Sequence, residues 1–252
     1  MLPTLHSLAD HQRSTRANIL LGRTLAFVAG ASNAGGFLAV GQYTSHMTGI
    51  VSSMMDHLAL GQFALMLTGL AALLAFGVGA MLTALLINWA RRRRLHSQFA
   101  LPLLLEAVLL LLFGLMGASM DQHTALRLPV TVLLLCFIMG LQNAVITKIT
   151  RAEIRTTHIT GLITDLGIEL GKLLYWNHSP LPGNVRANRD KIRLQASLIL
   201  LFALGGLLGA LGFKHLGYAS TLPLAVLLVI LTALPLRDDM RLRYRLYRQH
   251  HH

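Results

Sequence analysis

Six long apolar stretches constrain this chain more than any other feature. They run from Ile19 to about Val40, Phe63 to Trp89, Phe99 to Ala118, Leu128 to Ile146, Leu194 to Phe213 and Leu222 to Leu236. A helix needs about 20 mainly apolar residues to cover the hydrocarbon core of a bilayer. The last stretch is the shortest, with Pro223 suited to a helix's first turn and Pro235 to its end. Of the 252 residues 54% are apolar and 13% charged, where a soluble domain carries roughly a quarter charged. This balance excludes a disordered chain and argues against a water-soluble enzyme. The single cysteine, Cys136, excludes a disulfide scaffold. The fold class read from the sequence is an all-α polytopic membrane protein.

Two further segments, Ser45 to Leu60 and Thr156 to Leu174, carry Thr, His, Asp or Glu every few residues and do not read as lipid-facing helices. Charge decides how they are threaded. If both cross, with the N-terminus inside, the Lys and Arg residues divide 14 inside and 8 outside, and Arg91 to Arg94 are stranded on the outer face. If each enters and returns on its own side, 20 of the 22 lie inside, leaving only Arg127 and Lys214 outside. Inner loops are rich in Lys and Arg, so the expected topology is six transmembrane helices plus two discontinuous re-entrant half-helices. Both termini are then cytoplasmic. The net charge of +12 is spent on orientation, and no nucleic-acid partner is implied. Residues 1–18 are polar, with no signal peptide evident, and read as a cytoplasmic tail. Residues 237–252 form a second, basic one, with Arg241 to Arg248 an anchor on anionic lipid. His250, His251 and His252 have the look of a purification-tag remnant and are given no function.

The chain also repeats itself. Gly30-Ala31-Ser32-Asn33 matches Gly140-Leu141-Gln142-Asn143, Ser45-His46-Met47-Thr48-Gly49-Ile50 matches Thr157-His158-Ile159-Thr160-Gly161-Leu162, and Leu101-Pro102-Leu103 matches Leu222-Pro223-Leu224. Three features in the same order predict a duplication with copies at 19–118 and 128–236. Each copy holds three spans, an odd number, so the second is inverted. Inverted repeats with interrupted helices are a recurrent transporter plan, with sites near the bilayer midplane.

The expected local structure of each broken segment is a short extended piece, then a half-helix. The extended pieces are read at Gly35 to Gly41 and Val145 to Ile149, and the Ser/Thr clusters that follow suit helix N-caps. Free N–H groups at such starts find no partner in lipid, and two converging starts form a positive site that suits an anion. The substrate-binding candidates are therefore Asn33, Ser45, His46, Thr48 and Gly49 with Asn143, Thr157, His158, Thr160 and Gly161. Gly49 and Gly161 would let a ligand reach the backbone.

His158, Asp165 and Glu169 share one helix face by spacing, as do His46, Ser53 and His57. Ionisable groups at membrane depth mark pathways or proton relays, which makes Asp165 and Glu169 coupling candidates. Glu106, alone in an apolar span, is a third. The structural alternative is that Asp165 and Glu169 pair with Arg155, Lys148 or Lys172 and lock the bundle. Gly77, Gly79, Gly205, Gly206 and Gly209 read as close-packing faces. The 12 histidines show no metal-ligand spacing, and no cofactor is expected.

The Gly30 and Gly140 motifs, Ser45 to Gly49, and Arg155 to Gly161 followed by Asp165 resemble the YoaK-like family of bacterial inner-membrane proteins, a domain of unknown function. The resemblance covers nearly the whole chain and implies an inner-membrane location. The broken-segment plan is also similar to the cores of sulfate-permease and uracil-permease type transporters, an analogy of architecture. Three functions follow as expectations. The first is a secondary transporter of a small, anionic solute, coupled to protons. The others are a non-transporting scaffold or sensor and an intramembrane enzyme, which no nucleophile motif supports. The partners expected are a small-molecule or ion substrate and membrane lipids, and a homodimer is left open.

Overall fold

In the computed structural model the described residues are 15–93, 95, 97–118, 124–149, 157–176, 185–233 and 237. Among them the chain is helical and holds no strand. The helices are α1 (Thr15–Val40), α2 (Met47–Ala59), α3 (Phe63–Arg92), α4 (Ala100–Ala118), α5 (Thr124–Ile149), α6 (Ile159–Leu174), α7 (Arg189–Leu216) and α8 (221–233). A 3-10 turn, Gly217–Ser220, joins the last two. The tail up to residue 14, Arg151, Arg155, Pro235 and the basic segment from 238 lie outside the described residues.

Three helical stretches are long and apolar enough to cross a membrane: Phe63–Arg92, Pro129–Ile149, and Arg189–Ala233, the last spanning α7 and α8. Ala100–Met116 is a shorter apolar helix. Large apolar side chains stand exposed along α3 (Leu67, Leu74, Met81, Leu85) and α7 (Leu200, Leu207, Leu211). Such faces are a liability in water and at home against lipid tails.

Close backbone approach holds the helices together. Within lipid, apolar burial gives little drive, so small residues that admit a neighbouring backbone carry association. α1 packs on α7 and α5 on α3, the two most extensive pairings. In the first, Gly30 faces the Phe202 carbonyl and Gly205 the Phe27 carbonyl. In the second, Gly140 faces the Phe76 carbonyl and Gly79 the Phe137 carbonyl. A Cβ at any of the four would strike that backbone. The four sites share one pattern, Phe-x-x-Gly at 27/30, 76/79, 137/140 and 202/205. Each half thus lends one member to each pairing, by the same contact. Of the glycines read as packing faces, Gly79, Gly205 and Gly209 meet a partner's backbone, whereas Gly77 faces open space.

Helices α2 and α6 start where the motifs predict, but the segments read as extended are not. α1 continues to Val40 and α5 to Ile149, so Gly35 to Val40 and Val145 to Ile149 are helical. The reason is packing: Gly35 and Gly36 lie against the side chains of Phe213 and Leu135, and close approach of this kind needs the glycines without needing the helix to open. Only Gly41 breaks it, at φ 73°, where its N–H bonds the Phe37 carbonyl as a left-handed C-terminal residue does.

Candidate functional site

Helices α2 and α6 each start after the same small constellation. In the first half Asn33 Oδ1 accepts from the Ser45 hydroxyl at 2.9 Å and from the Ser45 N–H at 3.3 Å. In the second, Asn143 Oδ1 accepts from the Thr157 hydroxyl at 2.6 Å. An asparagine inside each long helix thereby ties down the residue that ends each break. The following residues are matched in burial as well: His46 and His158 exposed, Thr48 and Thr160 exposed, Gly49 and Gly161 intermediate, Ile50 and Leu162 buried.

The capping expectation needs correcting. The N-cap residues are His46 and His158, and the Ser45 and Thr157 hydroxyls are committed to the asparagines. His158 Nδ1 accepts from the Gly161 N–H at 3.1 Å, whereas the His46 side chain makes no such bond. Both histidine rings lie over the glycine of their own motif, where a Cβ would meet ring atoms. The glycines are therefore required first by the histidine rings that lie over them. We expect Gly161→Ala to displace the His158 ring and to cost about 1 kcal/mol, the ordinary worth of a cap. His158→Ala should cost a similar amount, and the two should not add. Gly49→Ala should cost less, because no bond is broken there. Thermal unfolding of the four proteins decides it, and additivity of the α6 pair would contradict the cap.

A cavity of about 650 Å³, open to the outside, lies between the end of α1, α2, α3 and the start of α5. Phe37, Tyr43, His46, Gly49, Ser53 and His57 are among its walls. Phe37 and Tyr43 stack with ring centroids 4.5 Å apart and planes at 21°, while His57 Nδ1 and Gln62 Oε1 are 2.7 Å apart. Gly69 makes room for Met54 on the cavity's inner side. The cavity brings together His46 and Gly49 of the sequence-derived set. Asn33, Ser45, Thr48, Asn143, Thr157, His158, Thr160 and Gly161 do not line it.

The acidic candidates divide. Asp165 Oδ2 takes a hydrogen bond from Gln195 Nε2 at 3.1 Å and an ion pair from Lys191 Nζ at 3.4 Å. Buried Glu169 is bonded by Lys172 Nζ at 2.9 Å and by the Asn188 N–H at 2.8 Å. Both carboxylates clasp α6 to the start of α7. Lys172 is thus the partner the structural alternative named, whereas Lys191 was not foreseen. Glu106, 1% exposed on the buried face of α4, is different: neither of its oxygens has a hydrogen-bond partner among the described residues. No group of three or more His, Cys, Asp or Glu that could hold a metal is found among the described residues.

Stacked Phe37 and Tyr43 were missed from the sequence. The register of the two halves extends beyond the short motifs but does not point to them, since Phe37 falls on Thr147 and Tyr43 on Arg155. It runs through the Phe-x-x-Gly sites and the N-caps Gln62 and Asn188, one residue before α3 and α7.

A family model described as a protein of unknown function (DUF1275) matches residues 21–234, and it is the family to which the YoaK-like resemblance points. No curated protein and no solved structure matches the chain.

Proposed function

Since the chain belongs to the DUF1275 family, which carries no assigned function, its role has to come from its own geometry, and we propose that it is a secondary transporter of a small anionic solute. In this reading six helices cross the inner membrane of a bacterium, α2 and α6 are re-entrant half-helices, and the two halves form an inverted repeat with both termini in the cytoplasm. The observation that carries it is the pair of matched half-helix starts, each set by an Asn–hydroxyl bond and followed by His-x-Thr-Gly. A long helix broken at membrane depth leaves N–H groups that lipid cannot satisfy. Such a break is tolerated where it lines a water-filled path, and the positive end of the half-helix then favours negative charge. The start of α2 borders the open cavity without a side-chain cap, which leaves its first-turn N–H groups for a ligand. The role is non-enzymatic in this reading. Glu106, Asp165 and Glu169 are the candidate proton carriers, with Glu106 first, because the other two are engaged in bonds between helices.

Reconstitution in liposomes tests the proposal. With an imposed pH gradient, saturable uptake is expected for one class among labelled small carboxylates and inorganic anions, and Glu106→Gln should uncouple it from the gradient. Uptake restricted to cations or neutral sugars overturns the anion site. A protein that folds and binds but moves nothing is a scaffold or sensor.

A further inference from the structure

Matched helix contacts in the two halves, α2 on α3 and α6 on α7, carry different side chains, and an open cavity lies beside the first. Residues of α2 match those of α6 with the offset of His46 and His158, and residues of α3 match those of α7 with the offset of Gly79 and Gly205. Residues of α5 match those of α1 as Gly140 does Gly30. By these offsets Ser53 corresponds to Asp165, Leu65 to Lys191, Gly69 to Gln195, Ala71 to Ser197, and Leu133 to Arg23. The first member of every pair lines the open cavity. The second members are bonded to one another: Asp165 to Gln195 and Lys191, and Arg23 Nε to the Ser197 hydroxyl at 2.8 Å. Where one half has a groove, the other has a row of polar bonds across the same positions.

We propose that the seam along α7, bonded to α6 through Asp165, Lys191 and Gln195 and to α1 through Arg23 and Ser197, is a second entrance to the transport site and the closed twin of the open cavity. The proposal rests on the transporter reading for its purpose, though not for its geometry. Side-chain chemistry suits a gate. Asp165 and Lys191 are 49% and 45% exposed, and half-exposed ion pairs are weak and reversible, unlike a packed apolar seam. The cap follows the same division. His158 closes on Gly161 beside the sealed seam, while His46 beside the open cavity leaves its glycine N–H unbonded by the ring. Glu169, bonded to Lys172 and to the Asn188 N–H at the far end of α6, holds the pivot. Arg186, Arg189, Lys191 and Arg193 cluster at the start of α7, so the sealed entrance is the cytoplasmic one by the positive-inside rule.

Cysteine reactivity in the purified full-length protein tests this. Thr68 lines the open cavity, and Leu194 is its counterpart beside the seam, half-buried against the core. In a Cys136→Ala background Thr68→Cys should react quickly with a membrane-impermeant maleimide and Leu194→Cys slowly. Adding Asp165→Asn and Arg23→Gln should speed labelling of Leu194→Cys about tenfold, the population shift that losing a few weak polar bonds produces. Native Cys136, fully buried, reports folding in parallel samples. Should the double change expose it, Lys191→Met alone supplies the same readout with less disturbance. Leu194→Cys reacting as fast as Thr68→Cys in the intact protein, or unchanged when the seam is cut in a folded protein, overturns the proposal. A seam that opens in a protein moving no solute removes the transporter reading and leaves the gate. Uptake without seam opening does the reverse.

Discussion

Gly140→Val will lower the stability of the folded protein by roughly 3 kcal/mol, at the upper end of what overpacking costs, and Gly30→Val by a similar amount. Ordinary overpacking is relieved by a side chain changing rotamer. Here a Cβ at Gly140 would meet the Phe76 carbonyl, and one at Gly30 the Phe202 carbonyl, so a whole helix must shift. The shift would propagate, because Gly79 and Gly205 meet their partner backbones in the same two pairings from the other side. Gly77→Val is the internal control. It lies two residues from Gly79 on the same helix and faces open space, so its effect should be small. Thermal unfolding in detergent measures all three. A Gly77→Val loss as large as that of Gly140→Val would mean that helix propensity, not backbone contact, sets the penalty.

Asn33→Leu is expected to cost about 1–3 kcal/mol, the desolvation penalty of polar groups left unsatisfied, and to abolish uptake. Asn33 Oδ1 is the acceptor for both the hydroxyl and the N–H of Ser45. Without it the last residue before His46 loses two bonds, and the start of α2 is no longer held at one position. Ser45→Ala removes only the hydroxyl bond and should cost less. A double-mutant cycle between the two isolates the coupling. Asn143→Leu removes a single acceptor from Thr157 and should fall between them. If Asn33→Leu is no worse than Ser45→Ala, the N–H bond carries nothing and the break is held elsewhere.

The acidic residues illustrate how spacing and contact differ as guides. Spacing places His158, Asp165 and Glu169 on one helix face, and α6 is a helix that does so. Spacing says nothing of what faces them. Gln195 and Lys191 are 30 and 26 positions from Asp165 along the chain, in another helix, and only the α6–α7 packing makes them partners. The carboxylates spaced as a relay also clasp α6 to α7.

What the sequence by itself determined is local or periodic. Three helical stretches are long and apolar enough to cross lipid, and the starts of α2 and α6 follow the His of each His-x-Thr-Gly motif. The doubled motifs, with the Phe-x-x-Gly sites that extend them, are likewise legible in one dimension. The tertiary structure decided the rest. Gly35 to Val40 and Val145 to Ile149 are helical because neighbouring helices pack on them, against a local pattern that reads as extended. The caps are histidines because the nearby hydroxyls find asparagine acceptors 12 and 14 residues back. The difference between an open groove and a bonded seam lies in side chains at positions that the doubled motifs match. Those differences, Ser for Asp, Gly for Gln and Ala for Ser, are unremarkable in the sequence. They acquire meaning only when folding sets each beside its partner, because a hydrogen bond depends on a distance of about 3 Å that sequence separation does not encode.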